Sequence, residues 1–258
     1  MISPLPIPKY HRIYLLLKEQ LGDGRYDAGM PGEIHLARQF KVARVTMRRA
    51  LQELADEGLL VRSRGRVTRR AAPTAGAFRD ATETSINGLL GNLVTATLNT
   101  TVRVLECGDI PAPDQIALAL KLPRGSPVQK LVRVRSTPQG PVSFLTTYMP
   151  QSVAAKIAVD DFRTEPVMVL LEKSGVRVGW ANARLGARLA DPLVAPWLDV
   201  DIGSALLTVN RIVFTEHDDA VLLVHGQYRP DRYEYLLRLS ARGEVEGEVR
   251  VQPASGAS

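Results

Sequence analysis

The fold of the N-terminal part of the chain is decided by residues 42–60, which read VARVTMRRALQELADEGLL. Apolar side chains recur in this stretch at helical spacing, at Met47, Ala50, Leu51 and Leu54. The spacing predicts a helix from about residue 44 to residue 57 with one buried face. Gly58 follows, and a glycine at this place ends a helix because it adopts the left-handed conformation without strain. The opposite face of this helix is basic.

Two further helices are predicted before this one. Residues 8–21 and residues 33–40 each carry an apolar stripe at helical spacing, and a turn of three residues, 41–43, leads into the helix at 44. Two helices joined by a tight turn are typical of a helix-turn-helix, in which the second helix lies in the major groove of DNA. The pattern therefore predicts a DNA-binding unit.

After the third helix the sequence predicts a small β-wing. Residues 59–61 and 67–70 have strand character, and the turn between them contains Gly65. The net charge of the chain is +6, but residues 38–70 alone carry ten basic and three acidic side chains. A surplus of positive charge that is concentrated in one short stretch indicates a surface that binds a polyanion, rather than a generally basic protein.

Eight residues are expected to contact double-stranded DNA: Arg44, Val45, Thr46, Arg48, Arg49, Arg64, Gly65 and Arg66. We expect Arg44 and Arg48 to read base edges, because a bidentate guanidinium matches the O6 and N7 edge of guanine. Thr46, Arg49 and the residues of the wing turn are expected to contact the backbone or the minor groove. For any single arginine, the alternative is a solvated charge without a partner.

The rest of the chain predicts a separate α+β domain. Runs with strand character are residues 101–106, 128–135, 142–149, 205–215 and 221–229, and short helical runs are residues 113–120, 166–173 and 192–198. Strands that outnumber helices and return by hairpins favour a mainly antiparallel sheet. We expect a DNA-binding domain at 8–70, a linker at 71–83, a second domain at 84–245 and a disordered tail at 246–258.

The two halves resemble the two domains of one regulator family. Residues 8–70 resemble the winged helix-turn-helix of GntR regulators, through VARVTMRRAL at 42–51 and LADEGLL at 54–60. Residues from about 84 to 239 look like the effector-sensing UTRA domain of the HutC subgroup, which has the chorismate lyase-like fold. Four sequence pieces support this second resemblance: Arg133-Val134-Arg135, Gly140-Pro141, Tyr148-Met149-Pro150 and residues 228–234.

Several positions depart from the family pattern. Gly32 and Ile34 stand where the family usually has Ser and Arg, which removes one common DNA contact. Ala43 replaces the usual Ser before the third helix, so a side-chain cap is missing there. In the wing, Val67 stands in place of the usual second glycine, so the contacts of the wing are expected to differ.

An effector site is expected in the second domain. Arg133 and Arg135 point to the same face of a strand, because strand side chains alternate with period two. Two guanidiniums on one face are suited to a carboxylate or a phosphate. The alternative is that either arginine forms an internal salt bridge with Asp231 or Glu234. With the resemblance taken into account, the expected lining comprises Arg133, Arg135, Phe144, Leu145, Tyr148, Leu222, Tyr228, Arg232 and Glu234.

The class of effector follows from two positions in this lining. The family resemblance implies that a pocket acid is common where this chain has Leu145 and Leu222, so sugar-type effectors are disfavoured. Together with the two arginines, these leucines predict an anionic ligand with an apolar body.

Other features of the sequence exclude several classes of protein. The N-terminus does not resemble a signal peptide and no apolar run is long enough for a membrane span, so a cytoplasmic location is expected. One cysteine cannot form an internal disulfide, and the four histidines show no ligand spacing, so neither a metal nor a cofactor is expected. Trp180 and Trp197 are expected in the core.

The sequence thus predicts a transcriptional regulator, in particular a repressor, whose operator affinity is changed by a small molecule. The family resemblance and the symmetry of such regulators predict a homodimer on a palindromic operator. One alternative is a dimeric DNA-binding protein that responds to no effector. An enzyme is a second alternative, because the sensing domain resembles the fold of a lyase, but no catalytic triad, phosphate loop or carboxylate pair is evident.

Overall fold

The structure is a computed structural model, and it describes residues 8–22, 25–26, 29–63, 66–69, 100–239 and 245–251. The chain divides into two compact units. The first contains the N-terminal helices and the wing together with residues 189–195 and 201–204, and the second contains the remaining C-terminal part. The linker expected at 71–83 lies outside the described residues.

The first unit has the predicted order of three helices and a two-stranded wing. Its elements are α1 (Lys9–Gly22), α2 (Glu33–Gln39), α3 (Arg44–Asp56), β1 (Leu60–Ser63) and β2 (Arg66–Arg69). The strands β1 and β2 pair antiparallel. The four apolar residues predicted to face inward from α3 are all buried, and they pack with the stripes of α1 and α2. The predicted inner face of the third helix is therefore confirmed.

The C-terminal end of α3 follows from a single residue. Gly58 adopts a φ of +70°, and its N–H donates to the carbonyl of Ala55 at 2.9 Å. The N–H of Leu59 donates to the carbonyl of Leu54 at 3.0 Å, so the last turn closes on its own backbone. At the other end Ala43 provides no side-chain cap, as its sequence predicts.

The second unit is built on one sheet. The elements that follow along the chain are β3 (Thr101–Pro111), α4 (Asp114–Ala119), β4 (Pro127–Thr137), β5 (Gly140–Pro150), α5 (Gln151–Ala154), a 3-10 helix (Val159–Arg163), α6 (Val167–Lys173), β6 (Val178–Leu189), α7 (Ala195–Leu198), β7 (Ala205–Thr215), β8 (Ala220–Tyr228), β9 (Tyr233–Leu239) and β10 (Val245–Val251). Six strands form a sheet in the order β3-β4-β5-β8-β7-β6, and β9 pairs with β10 separately. The predicted α+β domain with a mainly antiparallel sheet is confirmed.

Each face of this sheet is covered by different helices. On one face, Leu131, Met149 and Leu222 pack with residues of α5, the 3-10 helix and α6. On the other face, Val128 and Leu223 pack with α4. Because side chains alternate along a strand, each strand of the sheet divides its residues between these two layers.

Three sequence expectations differ from the structure. The segment expected to be a disordered tail from residue 246 is a strand as far as residue 251, because it pairs with β9 in register from Val245 to Val251. Trp180 and Trp197 are not core residues: their exposed fractions are 38% and 37%. Trp180 stacks on Phe214 at 4.0 Å between ring centroids, and Trp197 lies under the guanidinium of Arg103, so each ring is only half-covered.

Candidate functional site

The face of α3 opposite the core presents arginine and valine to solvent. The exposed fraction of Val45 is 74%, and the side chains of Arg44 and Arg48 are 60% and 53% exposed. Helical spacing places all three on the face that the buried residues leave free. This exposed face is what a helix needs in order to enter the major groove of DNA.

Glu33, at the start of α2, holds both candidate base-reading arginines. Its Oε1 accepts a hydrogen bond from Arg44 Nε at 2.6 Å and another from Arg48 Nη2 at 3.1 Å. Hydrogen bonds from Arg48 and from Arg44 lower the pKa of Glu33. The hydrogen bond to Glu33 raises the pKa of Arg48. Sequence reasoning missed Glu33, although its place at the start of the helix before the turn puts it beside the start of α3.

The other predicted DNA contacts have different surroundings. The guanidinium of Arg49 lies 3.7 Å from the ring centroid of Tyr10, so this arginine joins α3 to α1. Thr46 is half-buried. Arg64 and Gly65 lie outside the described residues, and Arg66 is described only as the first residue of β2.

A cavity of about 80 Å³ lies in the second unit, over the middle of the sheet. Its floor comes from β4, β5, β8 and β7, and α6 contributes to its wall. The lining residues are Thr100, Arg133, Arg135, Val142, Ser143, Leu145, Thr147, Pro166, Val167, Met168, Arg211, Leu222, Val224, Tyr228, Tyr233 and Val251. None of these described lining residues is acidic.

Arg133 is the most deeply buried charge in the cavity, with an exposed fraction of 3%. Its Nη1 donates to the carbonyls of Phe162 and Glu165 at the long distances of 3.4 and 3.5 Å, and its Nε has no hydrogen-bond partner. Burial, followed by the positive charge of Arg135, lowers the pKa of Arg133 to about 9. A buried guanidinium with such incomplete bonding stabilises an anion strongly.

Arg135 and Tyr228 line the same cavity as Arg133. Arg135 Nη1 donates to Thr100 Oγ1 at 2.8 Å, and burial lowers the pKa of Arg135 to about 10. Tyr228 stacks on Tyr233 with ring centroids 4.0 Å apart. A Cβ at Gly226 would lie 2.5 Å from Cε2 of Tyr228, so only glycine lets this ring lie flat against β8.

Five of the nine residues expected in the effector site line this cavity: Arg133, Arg135, Leu145, Leu222 and Tyr228. Phe144 and Tyr148 do not. Phe144 is the register partner of Val134 and Tyr148 that of Lys130, so both belong to the opposite face of the sheet from Leu145 and Arg133. Adjacent residues of a strand face opposite sides except at a bulge, so the structure does not bring these two residues into the cavity.

The remaining two expected residues also lie elsewhere. Arg232 Nη1 donates to the carbonyl of Pro141 at 2.8 Å, so this arginine holds the hairpin between β4 and β5. Glu234 is exposed and pairs in register with Arg250 on β10. Asp231, considered as a partner for the cavity arginines, forms its short ion pair with Arg229 at 2.7 Å.

Sequence reasoning missed one cavity residue with a charge. Arg211 on β7 has an exposed fraction of 7%, and its Nη2 donates to Tyr235 Oη at 2.8 Å. The available signal was an arginine that shares its strand face with Val209 and Val213, because alternation assigns these three residues to the same side. The same signal marks Arg133 and Arg135 in β4.

Within the part of the chain that the structure describes, no three His, Cys, Asp or Glu side chains form a group that could hold a metal ion. Among the described helices, none combines the length and the apolar character that a membrane crossing requires. The two candidate sites are an exposed basic helix face in the first unit and a partly open cationic cavity in the second.

Two family models match the chain over these two sites. Residues 9–69 match the bacterial regulatory proteins of the gntR family, and residues 95–234 match the UTRA domain. The second match covers more than half of the chain. The protein therefore belongs to the GntR family of bacterial transcriptional regulators, in the group that carries a UTRA domain.

Particular members of the family are similar over nearly the whole length. The HTH-type transcriptional repressor NagR of Bacillus subtilis is 26% identical over 243 residues, which are 91% of this chain and 97% of NagR. The HTH-type transcriptional repressor PhnF of Mycolicibacterium smegmatis is 25% identical over 242 residues, or 91% of this chain and 94% of PhnF.

Solved structures support the fold of the second unit. The ligand-binding domain of a GntR-family regulator from Bordetella bronchiseptica is 31% identical, with a TM-score of 0.52, and covers 55% of this chain and 92% of that one. A regulator from Streptomyces coelicolor is 28% identical with a TM-score of 0.50 and covers 59% of this chain and 95% of that one.

The family establishes the general activity of the protein. It is a DNA-binding transcriptional regulator with a domain that binds small-molecule effectors. The enzyme considered from the sequence is set aside, because the family and the relatives are regulators of transcription.

Proposed function

We propose that the protein is a homodimeric repressor whose operator affinity is changed by a small anionic effector with an apolar body. The observation that carries the effector class is the burial of Arg133 and Arg135 in one cavity, among apolar walls and without an acidic residue in its described lining. An anion that enters this cavity gains charge-assisted hydrogen bonds and offsets the cost of two buried cations.

The neutral part of the lining supports the apolar body. Leu145 and Leu222 lie on the floor of the cavity, and Val167 and Met168 belong to its wall. A sugar ring would place several hydroxyl groups against these side chains without hydrogen-bond partners, at an unfavourable desolvation cost. A carboxylate or phosphate on an apolar group matches both parts of the lining.

The DNA-binding half rests on the exposed face of α3, with Arg44 and Arg48 as the base-reading residues. The relatives NagR and PhnF are transcriptional repressors, and this supports repression as the direction of regulation. A dimer would place two α3 helices on half-sites separated by about 10 base pairs or a multiple of this spacing, and would therefore require a palindromic operator. Sedimentation at twice the mass of the chain would support this assembly.

The effector class can be tested with the full chain and an operator selected from random duplexes. Operator affinity is measured by fluorescence anisotropy at fixed salt, with monocarboxylates from butanoate to octanoate and with neutral hexoses. We expect at least one acid to change the affinity by about five-fold or more, the usual lower end of allosteric coupling. In Arg133→Met this response should disappear while operator binding without acid stays unchanged.

A matched control removes one positive charge outside the cavity. The side chain of Arg124 is 85% exposed, so Arg124→Met should keep the response to acid. Operator affinity that is identical with every acid and every hexose would favour the effector-independent DNA-binding protein. A response to hexoses alone would contradict the anionic class.

A further inference from the structure

Arg211 gives the cavity a second cationic end. In the sheet order, β5 and β8 lie between β4, which carries Arg133 and Arg135, and β7, which carries Arg211. Three strand spacings separate the two backbones by about 14 Å. Both groups nevertheless line the same cavity, so their side chains approach it from opposite sides.

The floor between the two ends is mainly apolar. The strands β5 and β8 contribute Leu145, Leu222 and Val224 to the lining, together with the hydroxyl-bearing side chains of Ser143, Thr147 and Tyr228. The cavity is therefore cationic at the β4 side, mainly apolar in the middle and cationic again at the β7 side. A ligand that complements this order carries acidic groups at both ends of an apolar segment.

The contacts of Arg211 suit it to act as a binding group. Its Nη2 donates to Tyr235 Oη at 2.8 Å, which fixes the plane of the guanidinium. A guanidinium has five N–H donors, so this single hydrogen bond leaves others for a ligand. Arg133 is held similarly at the opposite end, by two long bonds to backbone carbonyls, with its Nε unbonded and buried.

Building on the anionic effector proposed above, we propose that the effector is a small dianion with two separate acidic groups. Arg133 and Arg135 bind one acidic group, Arg211 binds the other, and the apolar segment lies over Leu145 and Leu222. Tyr235 is a positioning residue, because it touches Arg211 and is absent from the lining of the cavity.

The test compares matched acids by titration calorimetry on the full chain. Butanedioate, pentanedioate and hexanedioate are each paired with the monocarboxylate of the same length, and inorganic phosphate supplies two charges on one group. We expect one diacid to bind about ten-fold tighter than its monoacid, the usual contribution of a charged hydrogen bond. Phosphate should bind more weakly than that diacid.

The variant Arg211→Met should remove this preference and leave the affinity for monoacids unchanged. Arg124→Met is the control for the loss of one charge, and its preference for the diacid should persist. Thermal unfolding establishes that each variant is folded. Tyr235→Phe gives a second measurement, because it keeps the charge of Arg211 and removes its fixed orientation, and we expect it to weaken only the diacids.

Three outcomes would overturn the proposal. Equal affinity for diacids and monoacids would contradict the binding of a second acidic group by Arg211, but it would be compatible with an effector that has one acidic group. Equal loss of both acids in Arg211→Met would show that Arg211 supports the fold of the cavity and does not bind an acidic group. Absence of binding by every acid and by phosphate would contradict the anionic effector itself.

Discussion

The arginines of the two sites have the same side chain in opposite surroundings. Arg44 and Arg48 are exposed, and the carboxylate of Glu33 accepts hydrogen bonds from both. Arg133 and Arg135 are buried, with exposed fractions of 3% and 4%, and no acidic residue belongs to the described lining of their cavity. Glu33 accepts hydrogen bonds from both arginines of the first pair, and the second pair lines a cavity.

The difference in burial between the two pairs determines what a guanidinium can bind and what it costs the fold. An exposed ion pair contributes little to stability, so DNA phosphates and base edges can replace Glu33 at small cost. A buried guanidinium is costly to the fold unless it is paired, so the burial of Arg133 in the wall of a cavity points to binding. Substitutions at the two pairs should therefore have different effects on stability and on binding.

The largest effect is expected for Arg133→Met, on binding. Loss of the buried cation should weaken the tightest acid by about 100-fold, the upper range for hydrogen bonds to a charged group. The folded state should lose no stability, because apolar replacement of a buried charge is often neutral or stabilising by about 1–4 kcal/mol. Urea unfolding and calorimetry measure both, and a large loss of stability without acid would contradict the comparison.

Arg44→Ala with Arg48→Ala should have the next largest effect, on DNA. Each bidentate contact to guanine contributes about 1–3 kcal/mol, so the loss of two contacts should lower operator affinity by about 30-fold or more. The free energy of unfolding should change little, because both side chains are exposed. Anisotropy titrations with the selected operator measure the loss, and Arg124→Ala is the control. Unchanged operator affinity would contradict base reading by this face.

Glu33→Gln should change selectivity more than affinity. Without the carboxylate, Arg44 and Arg48 are released and a negative charge leaves the DNA-facing surface, so binding to scrambled duplex should rise by about two- to five-fold. The ratio of operator affinity to scrambled affinity should fall. Asp56→Asn removes the same charge from the exposed end of α3, where Asp56 accepts from Gln52, and should leave this ratio unchanged. An unchanged or higher ratio of operator affinity to scrambled affinity in Glu33→Gln would contradict this role of Glu33.

The smallest effect is expected for a pH-dependent exposed pair in the first unit. Lys18 Nζ donates to Glu57 Oε2 at 2.8 Å, and hydrogen bonds from Lys18 and Tyr14 lower the pKa of Glu57. The same contact raises the pKa of Lys18 to about 12. The stabilisation is thus present at neutral pH and is lost as the pH falls through the lowered pKa of Glu57, or rises through that of Lys18.

Glu57→Gln should slightly flatten the fall of the melting temperature in acid, measured by calorimetry between neutral pH and pH 3. Glu172→Gln, which removes an exposed carboxylate from α6, is the control and should leave the curve unchanged. An equal change in both variants would assign the effect to net charge.

Much of the first unit could be predicted from the sequence, because its helices bury one regular stripe each. The inward residues of α3 and the end of that helix at Gly58 needed only local spacing. The strand β6 was not predicted, because it lies at the edge of the sheet and is largely exposed on both faces, so it carries no apolar alternation. The pairing of β10 with β9 likewise depends on contacts between distant residues.

The candidate site was predicted less completely. Arg133 and Arg135 were identified by their alternation within one strand, but Phe144 and Tyr148 were grouped with Leu145 although alternation along β5 places them on its other face. Glu33 was missed because it contacts Arg44 and Arg48 from another helix, and Arg211 was missed although its place in β7 carries the same alternation signal as Arg133 and Arg135. Sequence patterns report which face of an element is buried, and they do not report which elements meet.

Gly226 has a consequence for how this regulator could acquire a new specificity. Because Gly226 has no Cβ, the Tyr228 ring can lie in the space beside it. The backbone of β8 therefore sets the depth of the cavity at this point. Val167 and Met168 come instead from a helix that packs over the sheet. Substitution of Val167 and Met168 could therefore change the size of the cavity from the side of α6, while the floor that carries the arginines stays unchanged.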